Sequence, residues 1–223
     1  MLRQLIVVIV LTLGSVMVSS VLARDKTGLK ASVGQTPVES VRTITHKLDT
    51  SVAGNKSLLT KDKATLIALI DEILLPHFDV DYASILVLGR HARTAKPAQR
   101  ARFAKAFYRS ITHRYAEGLL KYVKGAVRVL PFRGHLNKRR VVVRTQVTMG
   151  SGKSISVDYA FHKSRSGRWK AYDVIIEGIS YVTNYRNQVD AEIHKVGLDQ
   201  LIKNLKKRGA AALEPPSKVK PEH

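Results

Sequence analysis

A chain of 223 residues without a single cysteine has no disulfide, no thiol nucleophile and no thiolate metal ligand, and its length suits one compact domain or a core with a small helical annex. Its 38 lysines and arginines against 17 acidic residues leave a formal charge of +21, spread along the chain rather than gathered in one block. That surplus favours an anionic partner: nucleic acid, lipid headgroups or an acidic protein.

The opening "MLRQLIVVIVLTLGSVMVSSVLARDK" has a positive start at Arg3 and an apolar run from Leu5 to Val18, loosened by Thr12, Gly14 and Ser15. Val21-Leu22-Ala23 then offers small residues at a cleavage site. This predicts a secretory signal peptide over residues 1–23 and export of the mature chain. An uncleaved membrane anchor fits less well, because the run to Leu22 is only 18 residues and carries Ser19 and Ser20 as well. Removing the leader takes away Arg3 alone and leaves +20. A secreted chain rarely meets chromosomal DNA, so the charge points first to anionic membranes or an acidic partner.

Residues 24–35 read as a flexible lead-in. In "TPVESVRTITHKL" Thr36 is an N-cap, Pro37 is the first helical residue and Glu39 completes a capping box. A second helix, "TKDKATLIALIDEILLP", is expected to be capped by Thr60. A third, "DVDYASILVLGRH", is expected to be capped by Asp81 and stopped by Gly89. Pro97 opens the longest run, in which Phe103, Phe107, Ile111, Tyr115 and Leu119 recur every four residues. After Gly125 the period drops to two. "AVRVLP", "RVVVRTQVT", "SISVDYAFHK" and "RWKAYDVII" read as strands, the last three joined by short turns into an antiparallel meander.

The turn lengths set a register. Val147 pairs with Ile155, Thr145 with Val157, and Val143 with Tyr159, with Arg144 opposite Asp158. Across the next turn Phe161 pairs with Tyr172, Tyr159 with Val174, and Val157 with Ile176. The apolar residues then share one face, and Asp173 falls on a salt-bridged outer face. Glu177-Gly178 bends the chain, and helices follow from about Asn184 and from Leu198. The class is α+β: a curved antiparallel sheet of about four strands covered by amphipathic helices, with a helical subdomain. One domain is expected over residues 36–208, its mainly helical part at 36–95 and the long helix, sheet and last helices at 97–208, with a disordered basic tail over 209–223.

No catalytic constellation emerges. "GSGKS" at 150–154 lacks the first glycine of a phosphate-binding loop and precedes a strand, so it reads as a hairpin turn. No two of the eight histidines stand four apart, and no H-E-x-x-H or G-x-S-x-G occurs. Neither a metal nor a cofactor is expected, and an enzyme is not.

Two stretches carry a likeness: "LLPHFDVDYASILVLGRHARTAKPAQRARFAKAF" (74–107) and "WKAYDVIIEGISYVTNYRNQVDAEIHKVGLDQLI" (169–202). They resemble the MlaC family, also called the toluene-tolerance auxiliary family of periplasmic phospholipid-binding proteins. The resemblance implies an NTF2-like sheet with an apolar cavity for lipid acyl chains, the headgroup outside, and phospholipid as cargo. It also implies an inner-membrane ABC transporter with its substrate-binding ring and an outer-membrane lipoprotein complex as partners, with a role in outer-membrane lipid asymmetry.

The expected lining is Leu86, Phe107, Ile111, Tyr115, Val143, Val147, Val157, Tyr159, Phe161, Tyr172, Val174 and Ile176. Transient contact with a membrane surface is expected at Lys203, Lys206, Lys207 and Arg208, with Lys218 and Lys220 beyond them. The alternatives are an NTF2-like isomerase, which needs an acid inside the cavity, a carrier of another lipid such as a hopanoid, and a nucleic-acid binder.

Overall fold

The computed structural model describes residues 34–120, 124–149 and 152–213. The expected signal peptide and most of the lead-in lie outside the described residues, as does the tail from 214 onward. Helix α1 (Pro37–Lys47) begins with the anticipated capping box: Glu39 N donates to Thr36 Oγ1 at 3.3 Å, and Thr36 N donates to Glu39 Oε2 at 2.7 Å. It runs on into one π-turn, Leu48–Val52, followed by α2 (Lys56–Lys61) and α3 (Lys63–Leu74).

Two caps differ from expectation. Thr60 lies inside α2, its hydroxyl donating to Lys56 O, and Asp62 caps α3 by accepting from Ala64 N and Thr65 N at 3.0 Å. Helix α4 (Val80–Leu88) is capped by Asp79, which accepts from Tyr82 N at 3.0 Å, and Asp81 sits in its first turn. A carboxylate at the cap or in the first turn complements the helix dipole equally well, so neighbouring acids compete for the role. Gly89 ends α4 at φ 55°, where a side chain would strain the backbone. A single turn α5 (His91–Thr94) and the long α6 (Pro97–Leu119) follow.

The sheet has five strands in sequence order: β1 (Val127–Val129), β2 (Arg140–Thr148), β3 (Ser154–Lys163), β4 (Trp169–Ile176) and β5 (Ile179–Ser180). Every expected β2–β3 pair is present, including Arg144 opposite Asp158, although these two form no ion pair. On β4, Tyr159 meets Val174 and Val157 meets Ile176 as expected. Phe161, however, meets Ala171 instead of Tyr172, because the register shifts between Ala160 and Phe161. Tyr172 is the extra residue of that bulge.

Helix α7 (Tyr181–Val196) starts three residues before Asn184, and α8 (Leu198–Arg208) runs into a 3-10 turn, Gly209–Ala212. Ala210, Ala212 and Leu213 are buried, so the packed chain reaches Leu213 instead of giving way to a disordered tail at 209. Small apolar side chains can seat against α6 where a charged tail cannot.

Three apolar clusters hold the domain. One joins α4, α6, α7 and α8 around Phe103, Val87, Tyr185 and Leu201. A second lies where α1 covers the sheet, with Val41 against Val141, Val143, Phe161, Trp169 and Ala171. The third gathers α2, α3 and the far part of α6 around Val52, Leu66 and Ile73.

Candidate functional site

Strand β4 has β3 along one side, and its other edge is shared between two partners. At Ala171 the segment His77–Asp79 runs parallel to it: Ala171 N donates to His77 O at 2.8 Å, and Asp79 N donates to Ala171 O at 2.7 Å. From Ile175 onward β5 takes over. Between these pairings lie Tyr172, Asp173 and Val174, and here the edge borders a cavity of about 120 Å³. Phe78 closes it on one side. Val80, Ala83, Ser84 and Val87 of α4 form a wall with spacing i, i+3, i+4, i+7, one face of a helix. Phe107, Tyr108 and Ile111 of α6 form another, and Tyr181, Val182 and Tyr185 of α7 form a third.

The wall is aromatic and aliphatic. Phe107 stacks on Phe103 with centroids 5.5 Å apart and meets the Tyr185 ring edge-on at 5.2 Å. The hydroxyls of Tyr115 and Tyr185 lie 3.0 Å apart, and Tyr108 donates its own to Asp71 at 2.6 Å. Burial is the main cause raising the pKa of Tyr108, Tyr172, Tyr181 and Tyr185, so the phenols around the cavity stay neutral at physiological pH. Ser84 Oγ is buried without a hydrogen-bond partner.

Asp173 departs furthest from expectation. It is 6% exposed and belongs to no ion-paired outer face. It pairs with Ala160 on β3 as expected, and the start of α7 covers it. Its Oδ1 accepts from Val182 N at 3.0 Å and its Oδ2 from Ser180 Oγ at 2.6 Å, while Ser180 Oγ accepts from Thr183 N at 3.0 Å. The carboxylate therefore caps α7 jointly with Ser180, and the N-terminal end of the helix dipole balances its buried charge. Glu177 adopts φ 49° and Gly178 φ 81°, the bend expected at that pair, and Ser156 N donates to the Glu177 carboxylate at 2.5 Å.

Of the residues expected to line a cavity, Phe107, Ile111, Tyr172 and Val174 come together in it. Leu86 and Tyr115 stand beside it, Leu86 against the helical core and Tyr115 through its bond to Tyr185. The remaining six are not among its walls. Val143 and Phe161 are completely buried in the cluster that α1 seals with Val38 and Val41, so they are filled core. Val157 is buried, and Val147 and Ile176 are half-buried. Tyr159 packs at the margin of that filled core and keeps part of its surface, yet protein surrounds it closely enough for burial to push its pKa up to about 12. The pairs Val143–Tyr159–Val174 and Val157–Ile176 share a face as expected, but α1 fills one part of it, so of the expected sheet residues only Tyr172 and Val174 reach the cavity.

Sequence reasoning missed the α4 wall apart from its neighbour Leu86, and it missed all of α7. The i, i+3, i+4, i+7 spacing from Val80 and the i, i+4 pair Tyr181–Tyr185 were the available signals.

A polar cluster adjoins the cavity at Tyr172. Tyr82 stacks on His162 at 4.0 Å, Tyr172 meets both rings edge-on, and the Arg140 guanidinium lies 6.0 Å from the Tyr82 and Tyr172 centroids. His162 Nε2 lies 2.9 Å from Asp79 Oδ2, which ties β3 to the start of α4. Elsewhere His91, Asp190 and His194 bring potential ligand atoms within 4.8 Å of one another, a grouping that sequence spacing concealed. Arg90 already supplies the positive charge there. Its Nε and Nη2 donate to the two Asp190 oxygens at 2.9 and 2.8 Å, and Nη2 lies 3.2 Å from His194 Nε2. These contacts clasp the end of α4 to α7, and hydrogen bonding from Arg90 leads the causes that hold the Asp190 carboxyl below its usual range.

Fold and cavity together define an α+β protein with an apolar cavity beside its sheet edge. The chain belongs to the MlaC family: the match, described as MlaC protein, spans residues 42–207. It is 26% identical over 158 residues to the intermembrane phospholipid transport system binding protein MlaC of Haemophilus influenzae, covering 70% of this chain and 74% of that one. It is 29% identical over 166 residues to the toluene tolerance protein ttg2D of Pseudomonas putida, covering 74% and 76%. Among solved structures it resembles a phospholipid-binding protein from Ralstonia solanacearum in complex with a phospholipid, with 28% identity and a TM-score of 0.70, over 78% of this chain and 96% of that one.

Proposed function

We propose that this protein is a periplasmic phospholipid carrier that takes up acyl chain in the cavity between β4, α4, α6 and α7. It passes lipid between an inner-membrane ABC transporter complex with its substrate-binding ring and an outer-membrane lipoprotein complex, touching the membrane surface transiently, and so maintains outer-membrane lipid asymmetry. The observation that carries the reading is a cavity walled almost wholly by apolar and neutral aromatic groups, in a family whose relatives are phospholipid-binding proteins.

Each buried methylene is worth about 0.8 kcal/mol, so a chain of about fifteen would cost on the order of 12 kcal/mol in water. A carrier has to match the bilayer's apolar surroundings, and needs little else from its wall. At about 120 Å³ the cavity is below the roughly 300–1,000 Å³ of pockets that enclose drug-sized ligands, so loading requires α4 and α7 to part from the sheet edge.

The experiment is to narrow the cavity. Ala83→Leu adds carbon to the α4 wall at an overpacking cost of about 1–3 kcal/mol. Phospholipid recovered by solvent extraction from the folded variant is expected to drop severalfold. Undiminished recovery from a folded Ala83→Leu would place the cargo elsewhere.

One observation favours a second reading. Asp173 borders the cavity, which is where an isomerase of this architecture would keep its acid. Both Asp173 oxygens already accept hydrogen bonds from Ser180 and α7, and this supports capping over proton transfer. Proton exchange from a ketosteroid-type substrate that disappears in Asp173→Asn would reverse that preference.

A further inference from the structure

Helices α6 and α8 lie side by side, and their two ends differ sharply in charge. At one end Asp199 joins them: Arg102 Nη2 donates to it at 2.8 Å and Gln99 Nε2 at 3.0 Å. At the other end the helices and the Gly209–Ala212 turn border an open cleft of about 960 Å³. Lys105, Arg109 and His113 stand on its α6 side, at spacing i, i+4, i+8, and Lys206, Lys207 and Arg208 stand on the α8 side. No acidic residue lines it, and none of these six side chains shares an ion pair with a carboxylate among the described residues. The walls are fixed to each other: Arg114 Nη1 donates to Ala210 O at 2.8 Å, and Ser110 Oγ lies 3.3 Å from Leu205 O.

From this geometry we infer that the cleft is a docking site for the phosphate headgroups of an anionic phospholipid bilayer. Like charges held together without counter-ions raise the local potential and draw anions in. The lining contains no Phe, Tyr or Trp. It therefore lacks the stacking platforms of a single-stranded nucleic-acid site and the buried aromatic anchors of a protein hot spot. Flexible lysines at the cleft mouth suit a diffuse layer of phosphates, each basic residue adding attraction near an anionic surface.

The sequence placed this role on α8 and the tail alone. The structure adds a second wall from α6, and Lys203 is not part of the cleft. Phe107 and Ile111 face the cavity from the opposite side of the same helix, so α6 stands between bilayer and cavity. The inference rests on the membrane contact in the proposed function and deepens it, naming where the bilayer is met and not what is carried.

The test compares two variants of equal net charge. One carries Lys105→Gln, Arg109→Gln, Lys206→Gln and Lys207→Gln. The control carries Lys61→Gln, Lys138→Gln, Lys153→Gln and Arg165→Gln, at exposed positions outside the cleft. Both are sedimented with vesicles of phosphatidylcholine alone and of phosphatidylcholine mixed with phosphatidylglycerol, at low and high salt. The parent and the control should bind the mixed vesicles at low salt, and the cleft variant at least tenfold more weakly, with little binding to phosphatidylcholine alone.

Equal binding by the two variants would overturn the inference, because net charge alone would then be responsible. Release of the parent by inorganic phosphate at constant ionic strength would also overturn it, marking a site for a single phosphate. Thermal melts check folding. If the fourfold variant melts early, Lys105→Gln/Arg109→Gln and Lys206→Gln/Lys207→Gln carry the test separately, each expected at least threefold weaker than the parent. Lipid extracted from the same samples separates the two ideas: absent cargo with docking intact would count against the carrier reading and leave the cleft standing.

Discussion

The patch beneath α1 and the cavity beside the β4 edge are made of the same kinds of residue, yet one is filled and the other is not. Under α1, Val41 closes on Val143 and Phe161, both 0% exposed, where β2 and β3 pair in unbroken register and the β4 bulge adjoins the patch at Phe161 and Ala171. At the cavity the register slips by one residue, β4 exchanges one edge partner for another, and three helices meet the opening without closing it. Apolar composition alone does not decide between core and cavity. A helix laid across paired strands lets side chains interdigitate to close packing, whereas a sheet edge passed from one partner to another leaves space beside it.

The comparison breaks first if Phe161 behaves like a cavity wall. Phe161→Ala should cost about 3–5 kcal/mol, as for a ring removed from a filled core, and urea unfolding would show it as a lower midpoint at unchanged slope. Next comes the carboxylate that starts α7. Asp173→Ala strands Val182 N and takes one acceptor from the Ser180 hydroxyl, which should cost about 2–3 kcal/mol, and amide exchange should accelerate in the first turn of α7 more than in α8.

Ile111→Ala should be milder, about 1–2 kcal/mol against the usual 2–5, because Ile111 is half-buried and borders existing space. A cost as large as that of Phe161→Ala would mean the cavity is packed as tightly as the core.

The smallest effect belongs to the Arg90–Asp190 clasp, which is exposed. The folded state holds the Asp190 pKa below its unfolded value, so the stabilisation is present above the unfolded pKa and is lost as pH falls through the folded one. The melting temperatures of the parent and Asp190→Asn should therefore differ slightly at neutral pH and converge as the pH drops below about 4.

Much of this was legible in the chain. Period-two runs with short turns placed β2 and β3 at their observed bounds, and every β2–β3 pair followed from loop length. The bulge was not legible, because a register counted from a turn assumes one residue opposite one. Phe161–Tyr172 failed for that reason; Asp173 keeps its ladder position opposite Ala160, and it is buried because the start of α7 covers it. Half of each cap was visible: Thr36–Glu39 is unambiguous, but Asp79 and Asp81 both suit a helix start. Long-range groupings left no local trace. Arg90 and Asp190 are far apart in sequence, and Lys105 acquires Lys206 as a cleft neighbour only once α6 and α8 are packed.

The most direct test of the central claim is native mass spectrometry of the protein purified without detergent from a lipid-rich host. The account predicts a folded species heavier than the chain by the mass of phospholipid, whose adduct is reduced in Ala83→Leu and retained in the parent. A parent that is folded and carries no lipid under these conditions would contradict it.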